Sequence, residues 1–223
     1  MKDIIIWQTY HDDAQIEQFH LKETGTIHLF KGNDTNVDGE NINHLNKFYS
    51  ELVTLYWVWK NNVKSETVGF CHYRRVFSNI LDLEPGNCQV LYVNMRIDLK
   101  SHYKEAHNYQ DFDDIIDILN EKYGKGNKYS KYLLEGDMFI PYCCFIMHWD
   151  DFQRLCGFLF PILFAFDSMH HLDFTYDNYM EKARKDFRYD DVDYQCRAMS
   201  FLAERLISCW LFNEMKVLCL TEI

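Results

Sequence analysis

The sequence predicts one α/β layered domain, and three observations carry that prediction. Short apolar runs rich in β-formers alternate with longer stretches of helical periodicity. No Gly/Ser- or Pro-rich linker divides the 223 residues, and no internal repeat is visible. Hydrophobic residues make up 48% and aromatics 17%, with only three prolines, which is enough for a large core and argues against disorder.

Taken in order, Asp3 to Thr9 is a first buried strand, a short apolar run of β-formers ahead of a polar stretch from His11 to Gln18. Thr26 to Phe30 is a second short strand. Lys31 to Asn46, rich in Gly, Asn and Asp, is a loop. Lys47 to Asn62 is the clearest helix: Phe48, Leu52, Leu55 and Trp59 share one face, Asn46 caps it and Asn61-Asn62 ends it. Thr67 to Cys71 is a strand that runs directly into His72-Tyr73-Arg74-Arg75. Gln89 to Val93 is another strand. A polar, His- and Tyr-rich segment, Asp98 to Gln110, precedes a helix from Phe112 to Tyr123 and a turn from Gly124 to Ser130. Met138 to Met147 is apolar and β-like. Asp150 or Asp151 caps a helix running to about Phe166. Asp167 to Asp193 is polar and irregular, with a charged middle from Glu181 to Arg188. Tyr194 to Asn213 is the last long helix and Lys216 to Leu220 the last strand.

Charge and cysteine usage narrow the function classes. Lys and Arg number 23 against 34 Asp and Glu, a net charge of −11. A general nucleic-acid binder needs a broad basic footprint, so no nucleic-acid partner is expected, and bulk-charge docking on anionic lipid is disfavoured for the same reason. The eight cysteines include no Cys-x-x-Cys pair, and no signal peptide opens the chain. The thiols therefore read as reduced and mostly buried, in a cytoplasmic protein. Cys143, Cys144 and His148 read as a buried strand followed by a turn rather than as a metal cluster. The longest apolar run, Leu155 to Phe166, is interrupted by Pro161 and is about half of the ~20 residues that span a bilayer. It reads as a core helix, with peripheral membrane contact through it left open.

Four segments offer chemistry. At Gly69 to Arg75 an apolar strand ends abruptly in polar residues, and ligands of open α/β sheets sit outside the carboxyl ends of strands. Arg74 and Arg75 there are forked donors matched to phosphate oxygens, or surface arginines bonded to nearby carboxylates. Around Glu51, Tyr56, Trp57 and Trp59 the aromatics read as core, and Glu51 and Lys60 as exposed. In Ser101 to His107 the two imidazoles and the phenol suit sugar hydroxyls or phosphate, but equally a plain surface. On the last helix Arg197, Phe201 and Glu204 share a face, with Arg205 beside them; a structural ion pair is the simpler reading there, a general base or ligand clamp the sharper one. Asp191-Val192-Asp193 spells a metal motif but stands before a helix in a charged loop, not after an apolar strand, so it supports no metal; Mg²⁺ or Mn²⁺ dependence stays an open alternative. There is no P-loop, GxGxxG or GxSxG.

Together these motifs resemble a bacterial family once classed as a domain of unknown function and now placed among capsule, exopolysaccharide and O-antigen glycosyltransferases. Its signature, roughly ELTxxYWxWKN followed by VGxxHYRRxF, matches Glu51 to Asn61 and Val68 to Phe77. Ser101 to His107 resembles its HYxxAH segment. Phe145-Ile146-Met147 resembles its NMFIM block, and Tyr194 to Arg197 with Phe201 to Leu206 its YQxR…GFxxERL block. The chain departs from the pattern at Cys143-Cys144, where the family usually has Asn, and at Ser200, where it has Gly.

The resemblance implies a GT-A-like single domain, a central mixed, mostly parallel sheet flanked by helices. Residues from about 1 to 95 would form a nucleotide-binding half and those from about 96 to 223 an acceptor-side half. It implies transfer of a hexose from a nucleotide-diphosphate sugar, a UDP-sugar with galactofuranose as candidate donor, to a glycan or lipid-linked glycan at the inner face of the membrane. The alternative is a non-catalytic nucleotide-sugar-binding or assembly protein on the same fold. In such a sheet His72, Tyr73, Arg74 and Arg75 would stand where related enzymes place metal-binding acids, so fixed positive charge would stabilise the departing diphosphate. Tyr10 and His11 would lie near the base or ribose. His102, Tyr103, His107 and Arg197 would meet phosphates or sugar hydroxyls. Glu204 is the first candidate for catalytic base and Asp137 the second.

Overall fold

The computed structural model describes residues 3–186 and 191–219. Its centre is a six-stranded sheet in the order β2-β1-β3-β7-β4-β8, built from β1 (Ile4–Tyr10), β2 (Ile27–Lys31), β3 (Thr67–His72), β4 (Asn87–Val90), β7 (Phe145–His148) and β8 (Lys216–Cys219). β1 pairs in parallel with both β2 and β3, and β4 in parallel with β8. β7 runs antiparallel between β3 and β4. The sheet is thus mixed and mostly parallel. A separate two-stranded ribbon joins β5 (Asn94–Met95) to β6 (Met138–Phe139).

β3 is central because both its faces are apolar, and all six of its residues are buried. Gly69 lies in its middle, where an added Cβ would come within 2.9 Å of Ile146 and 3.1 Å of Ile6, so the close approach of β1 and β7 requires glycine. Strand alternation divides the core. Trp7, Val68, Phe70, Phe145 and Met147 face the main core, while Ile6, Cys71, Cys144 and Ile146 face a smaller cluster with Phe77, Ile80, Leu81 and Leu83 packed on it.

Helices surround the sheet, most of them on the main face: α1 (Ala14–Gln18), α2 (Asn46–Tyr49), α3 (Leu52–Lys60), α4 (Leu99–Ala106), α5 (Tyr109–Tyr123), α6 (Lys128–Glu135), α7 (Trp149–Met169), α8 (Tyr176–Lys185), α9 (Val192–Gln195) and α10 (Ala198–Glu214) make up the α-helical set among the described residues, with a 3-10 turn at Asn43–Leu45. Among the described residues, α7 alone is long and apolar enough to cross a membrane by length and composition. It buries Phe152, Leu155, Leu159, Ile162, Leu163 and Phe166 and packs against α3, α5, α10 and β3, as a core helix does.

Several elements differ from the sequence expectation. The helix expected over 47–62 is two, α2 and α3, broken at Ser50. The apolar segment 138–147 is two strands separated by a corner in which Tyr142 and Cys143 have φ of 72° and 49°. The polar segment 98–110 contains α4, capped by Asp98, whose Oδ1 accepts from the Ser101 N–H at 2.7 Å. The turn after Tyr123 ends at Asn127, which caps α6 by accepting from the Tyr129 and Ser130 N–H groups. The irregular stretch 167–193 contains α8, and the last helix is divided into α9 and α10 at Cys196-Arg197. Leu220, expected to end the last strand, and Phe187-Arg188, in the charged stretch, lie outside the described residues.

Candidate functional site

A cleft opens past the carboxyl ends of β1 and β3, the end of a parallel sheet where helix N-termini and loops leave room for a ligand. It comprises two adjoining cavities of about 560 and 340 Å³. The larger is lined mainly from the first half of the chain: Thr9 and His11 at the end of β1, Asn33 and Thr35 after β2, Asn46 to Glu51 around the helix break, Tyr73 and Arg74. The smaller is lined mainly from the second half: His102, His107, Tyr142, Tyr194, Phe201, Glu204 and Arg205, with His72. Glu51, Arg74 and Arg197 line both.

Strand parity decides which residues of β1 and β3 reach the cleft. Thr9 continues the face of Ile5 and Trp7, and its Oγ1 lies 2.7 Å from that of Thr54 on α3. Gln15 fixes His11: its Oε1 accepts from the His11 N–H at 3.1 Å and its amide nitrogen lies 3.0 Å from His11 Nε2. Tyr10 falls on the opposite parity. It does not line either cavity, and the proposed contact with base or ribose passes to His11.

The end of β3 behaves differently for each of its four polar residues. His72 is 2% exposed, and its Nδ1 accepts from the Arg74 N–H at 3.3 Å. Burial, then the fields of Arg74, Arg75 and Arg197, push its pKa down to about 3, so the ring is neutral at any physiological pH. Tyr73 packs edge-on against His11 and Phe19, with the Arg74 guanidinium 5.1 Å over its ring. Arg74 is exposed into both cavities. Arg75 turns away. Its guanidinium lies 4.3 Å over Tyr142 and 5.8 Å from Tyr92, its Nε is buried without a partner, and it lines neither cavity. The adjacent pair expected to grip a phosphate is therefore not a pair in space. Arg197, half-buried at the α9–α10 break with its guanidinium 5.3 Å over Phe201, is the arginine that shares the cleft with Arg74.

In the smaller cavity Arg205 is the organiser. It is 3% exposed, donates to the Phe201 carbonyl at 3.1 Å, to Glu204 at 3.0 Å and to His102 Nδ1 at 3.2 Å, and lies 4.4 Å over Phe139. The bond to His102 fixes its tautomer with the proton on Nε2. Glu204 is held on both oxygens, one by Arg205 and the other by the Tyr142 N–H at 2.9 Å. Burial raises its pKa and Arg205 opposes that rise. His107, 4% exposed, stacks on Phe201 at 3.9 Å and on Tyr194 at 5.5 Å; its Nδ1 has no partner, and burial pushes its pKa down to about 3. Tyr103 is fully buried beneath this layer with no hydrogen-bond partner on its hydroxyl, so it supports His107 and cannot touch a ligand. Asp137 lies exposed just before β6 and lines neither cavity. Ser200, the residue departing from the family's Gly, donates to the Phe48 carbonyl at 3.0 Å and ties α10 to α2.

Glu51 corrects the sequence reading that placed it on the exterior. Ser50, with φ 48° and ψ −128°, ends α2, and Asn46 holds the kink by donating its amide to the Ser50 carbonyl at 3.2 Å. The next residue, Glu51, is thereby turned into the cleft. Burial raises its pKa; a hydrogen bond from its own backbone N–H and the fields of Arg197 and Arg74 oppose the rise, and Glu204 adds to it. No lysine, arginine or histidine among the described residues lies within ion-pair distance of its carboxylate. A signal was present: Glu51 is the only acid between Phe48 and Trp59. Lys60 pairs with Glu40 outside the cleft.

The fold class implies a divalent metal at such a strand end. The residues here do not fit one. Arg74, Arg197, Lys47 and Arg205 line the cleft with two carboxylates, Glu51 and Glu204, of which Glu204 has both oxygens engaged. Asp191 caps α9 by accepting from the Tyr194 N–H, and Asp193 pairs with Lys47 at 2.8 Å. Elsewhere Asp111, Asp114 and His170 cluster, but both Asp111 oxygens accept from Lys182 and Asp114 pairs with His170. The cleft is built for an anion.

The sheet order and this cleft define an α/β domain with a mixed, mostly parallel sheet flanked by helices, a fold shared with a solved glycosyltransferase. The apo structure of the WbbM bifunctional glycosyltransferase matches 97% of this chain with a TM-score of 0.70 at 18% identity. This chain spans 44% of that chain, less than half its length. The chain belongs to the family described as Domain of unknown function (DUF4422), whose model matches residues 20–215. No curated protein matches it.

Proposed function

We propose that this protein is a glycosyltransferase moving a hexose from a nucleotide-diphosphate sugar to a glycan acceptor in cell-surface polysaccharide synthesis. A UDP-sugar is the expected donor, with galactofuranose the first hexose to try. The observation that carries the reading is the position of Arg74 and Arg197, two guanidiniums shared by both cavities in a chain of net charge −11. A diphosphate joins a nucleoside to a sugar, so its place is where a larger cavity meets a smaller one. Negative charge builds on it as the glycosidic bond breaks, and fixed guanidiniums aimed there stabilise the transition state more than the ground state. The polar wall of Asn33, Thr35 and Asn46 in the larger cavity suits a ribose and base. The free thiols, seven of eight buried, support a cytoplasmic setting, with contact at the inner face of the membrane part of the same proposal.

The test is a melting-temperature screen against nucleoside diphosphates and UDP-hexoses, followed by transfer assays with and without EDTA. A UDP-selective rise in Tm together with EDTA-resistant transfer is the expected result. Binding without turnover or donor hydrolysis would leave the non-catalytic sensor as the function. Activity lost in EDTA and restored by Mn²⁺ would overturn the role of fixed charge.

A further inference from the structure

We infer that Glu51, rather than Glu204, is the catalytic base, taking the proton of an acceptor hydroxyl bound in the smaller cavity. The inference rests on the glycosyltransferase reading and deepens it. Three observations converge. Glu51 lines both cavities, which is where the acceptor oxygen must meet the donor's anomeric carbon. Its carboxylate has no ion-pair partner among the described residues, whereas both Glu204 oxygens are occupied by Arg205 and the Tyr142 N–H. A base must present a basic lone pair to its substrate, and Arg205 and the Tyr142 N–H both lower the basicity of Glu204, whereas among the described residues Glu51 meets no cation at ion-pair distance.

The third observation is the smaller cavity itself. Exposed rings of Tyr142 and Tyr194, at 36% and 39%, flank a floor carrying the neutral imidazoles of His72 and His107. Aromatic faces and neutral imidazoles, beside the Arg205–Glu204 pair, suit the hydroxyls and ring faces of a pyranose or furanose. Donor and acceptor are thus divided between the two cavities, with Glu51 at their junction.

The step balances. The acceptor O–H proton passes to a Glu51 carboxylate oxygen as the acceptor oxygen bonds to the anomeric carbon. The bond from that carbon to the β-phosphate oxygen breaks, and its electron pair leaves with the diphosphate, held by Arg74 and Arg197. Burial in the cleft keeps the Glu51 carboxyl more basic than an exposed glutamate, which favours proton uptake.

The experiment compares wild type with Glu51→Gln and Glu51→Asp, using the UDP-hexose turned over by wild type and UDP as the binding probe. The expected result for Glu51→Gln is a fall in kcat of about 100-fold or more, while UDP still raises its Tm by at least the wild-type increment. Retention of the UDP shift shows that the variant is folded with an intact nucleotide site. Glu51→Asp, which keeps a carboxylate one methylene shorter, retains more kcat than Glu51→Gln. A Glu51→Gln kcat within about threefold of wild type overturns the assignment, and so does loss of the UDP shift together with kcat, which would make Glu51 a structural support. An abolished kcat in Glu204→Gln with Glu51→Gln active would return the role to Glu204. If wild type neither binds nor turns over any UDP-hexose, the transferase reading falls first and Glu51 with it.

Discussion

His72 and His107 illustrate how single residues set the character of the cleft. Both rings are held at about 3, against about 6.5 in an unfolded chain. Between those values the unfolded chain binds protons that the folded rings refuse. Each ring therefore removes stability as the pH falls from 6.5 towards 3, by about 1.4 kcal/mol per pH unit at most. Glu51 and Glu204, held above their ordinary values, act in the opposite direction, since their protonated forms are favoured on folding. Comparison with a variant separates the two effects. In His72→Gln the slope of unfolding free energy against pH, measured by urea titration between about pH 5 and pH 6.5, should flatten by about 1 kcal/mol per unit. An unchanged slope would mean that the ring is solvated. The place of His72, Arg74 and Arg197 at the cleft was legible in the sequence, because each stands at the end of an apolar strand or the start of a helix. The division of labour between Arg74 and Arg75 was not. It depends on Tyr142, in the corner before β7 and far from Arg75 in the sequence, whose ring captures one guanidinium and leaves the other to the cleft.

At the scale of elements, the break between α2 and α3 is the feature that shapes the site. Its Ser50 backbone lies in a region that costs an L-residue roughly 1–3 kcal/mol and a glycine little. Ser50→Gly should therefore leave transfer intact and raise stability by about 1 kcal/mol, read as a higher urea midpoint. Ser50→Val should destabilise by at least as much and lower kcat, because a β-branched side chain drives the backbone out of that region and swings Glu51 away. A neutral Ser50→Val would contradict the role of the kink. The break was invisible in the sequence because Phe48, Leu52, Leu55 and Trp59 keep their helical spacing across it, and periodicity reports which face is apolar rather than whether the backbone is continuous. α8 was missed for the converse reason. It is so charged that only Tyr179, Met180 and Ala183 mark its buried side. The parallel strands β1 and β3, buried on both faces, gave the clearest signals, and the order in which they pair with β7 and β4 follows from contacts too distant in sequence for any local pattern to carry.

The whole molecule is acidic, yet its cleft concentrates Lys47, Arg74, Arg197 and Arg205 together with two carboxylates. Such a contrast focuses an anionic ligand into the site, so raising the salt concentration should weaken UDP binding, with the neutral uridine unaffected. A salt-independent UDP affinity would argue that the nucleoside, not the diphosphate, provides the recognition. In the proposed mechanism Arg74 and Arg197, far apart in sequence, form the diphosphate clamp, and Arg75 takes no part. Calorimetric titration of UDP into wild type, Arg74→Ala, Arg197→Ala and Arg75→Ala tests this. Kd should rise about 10- to 100-fold in each of the first two variants, the loss of a charged hydrogen-bonding partner worth ~1.5–3 kcal/mol, and stay within about threefold in Arg75→Ala. An Arg197→Ala protein that binds UDP as wild type does, or an Arg75→Ala protein that loses as much affinity as Arg74→Ala, would contradict it.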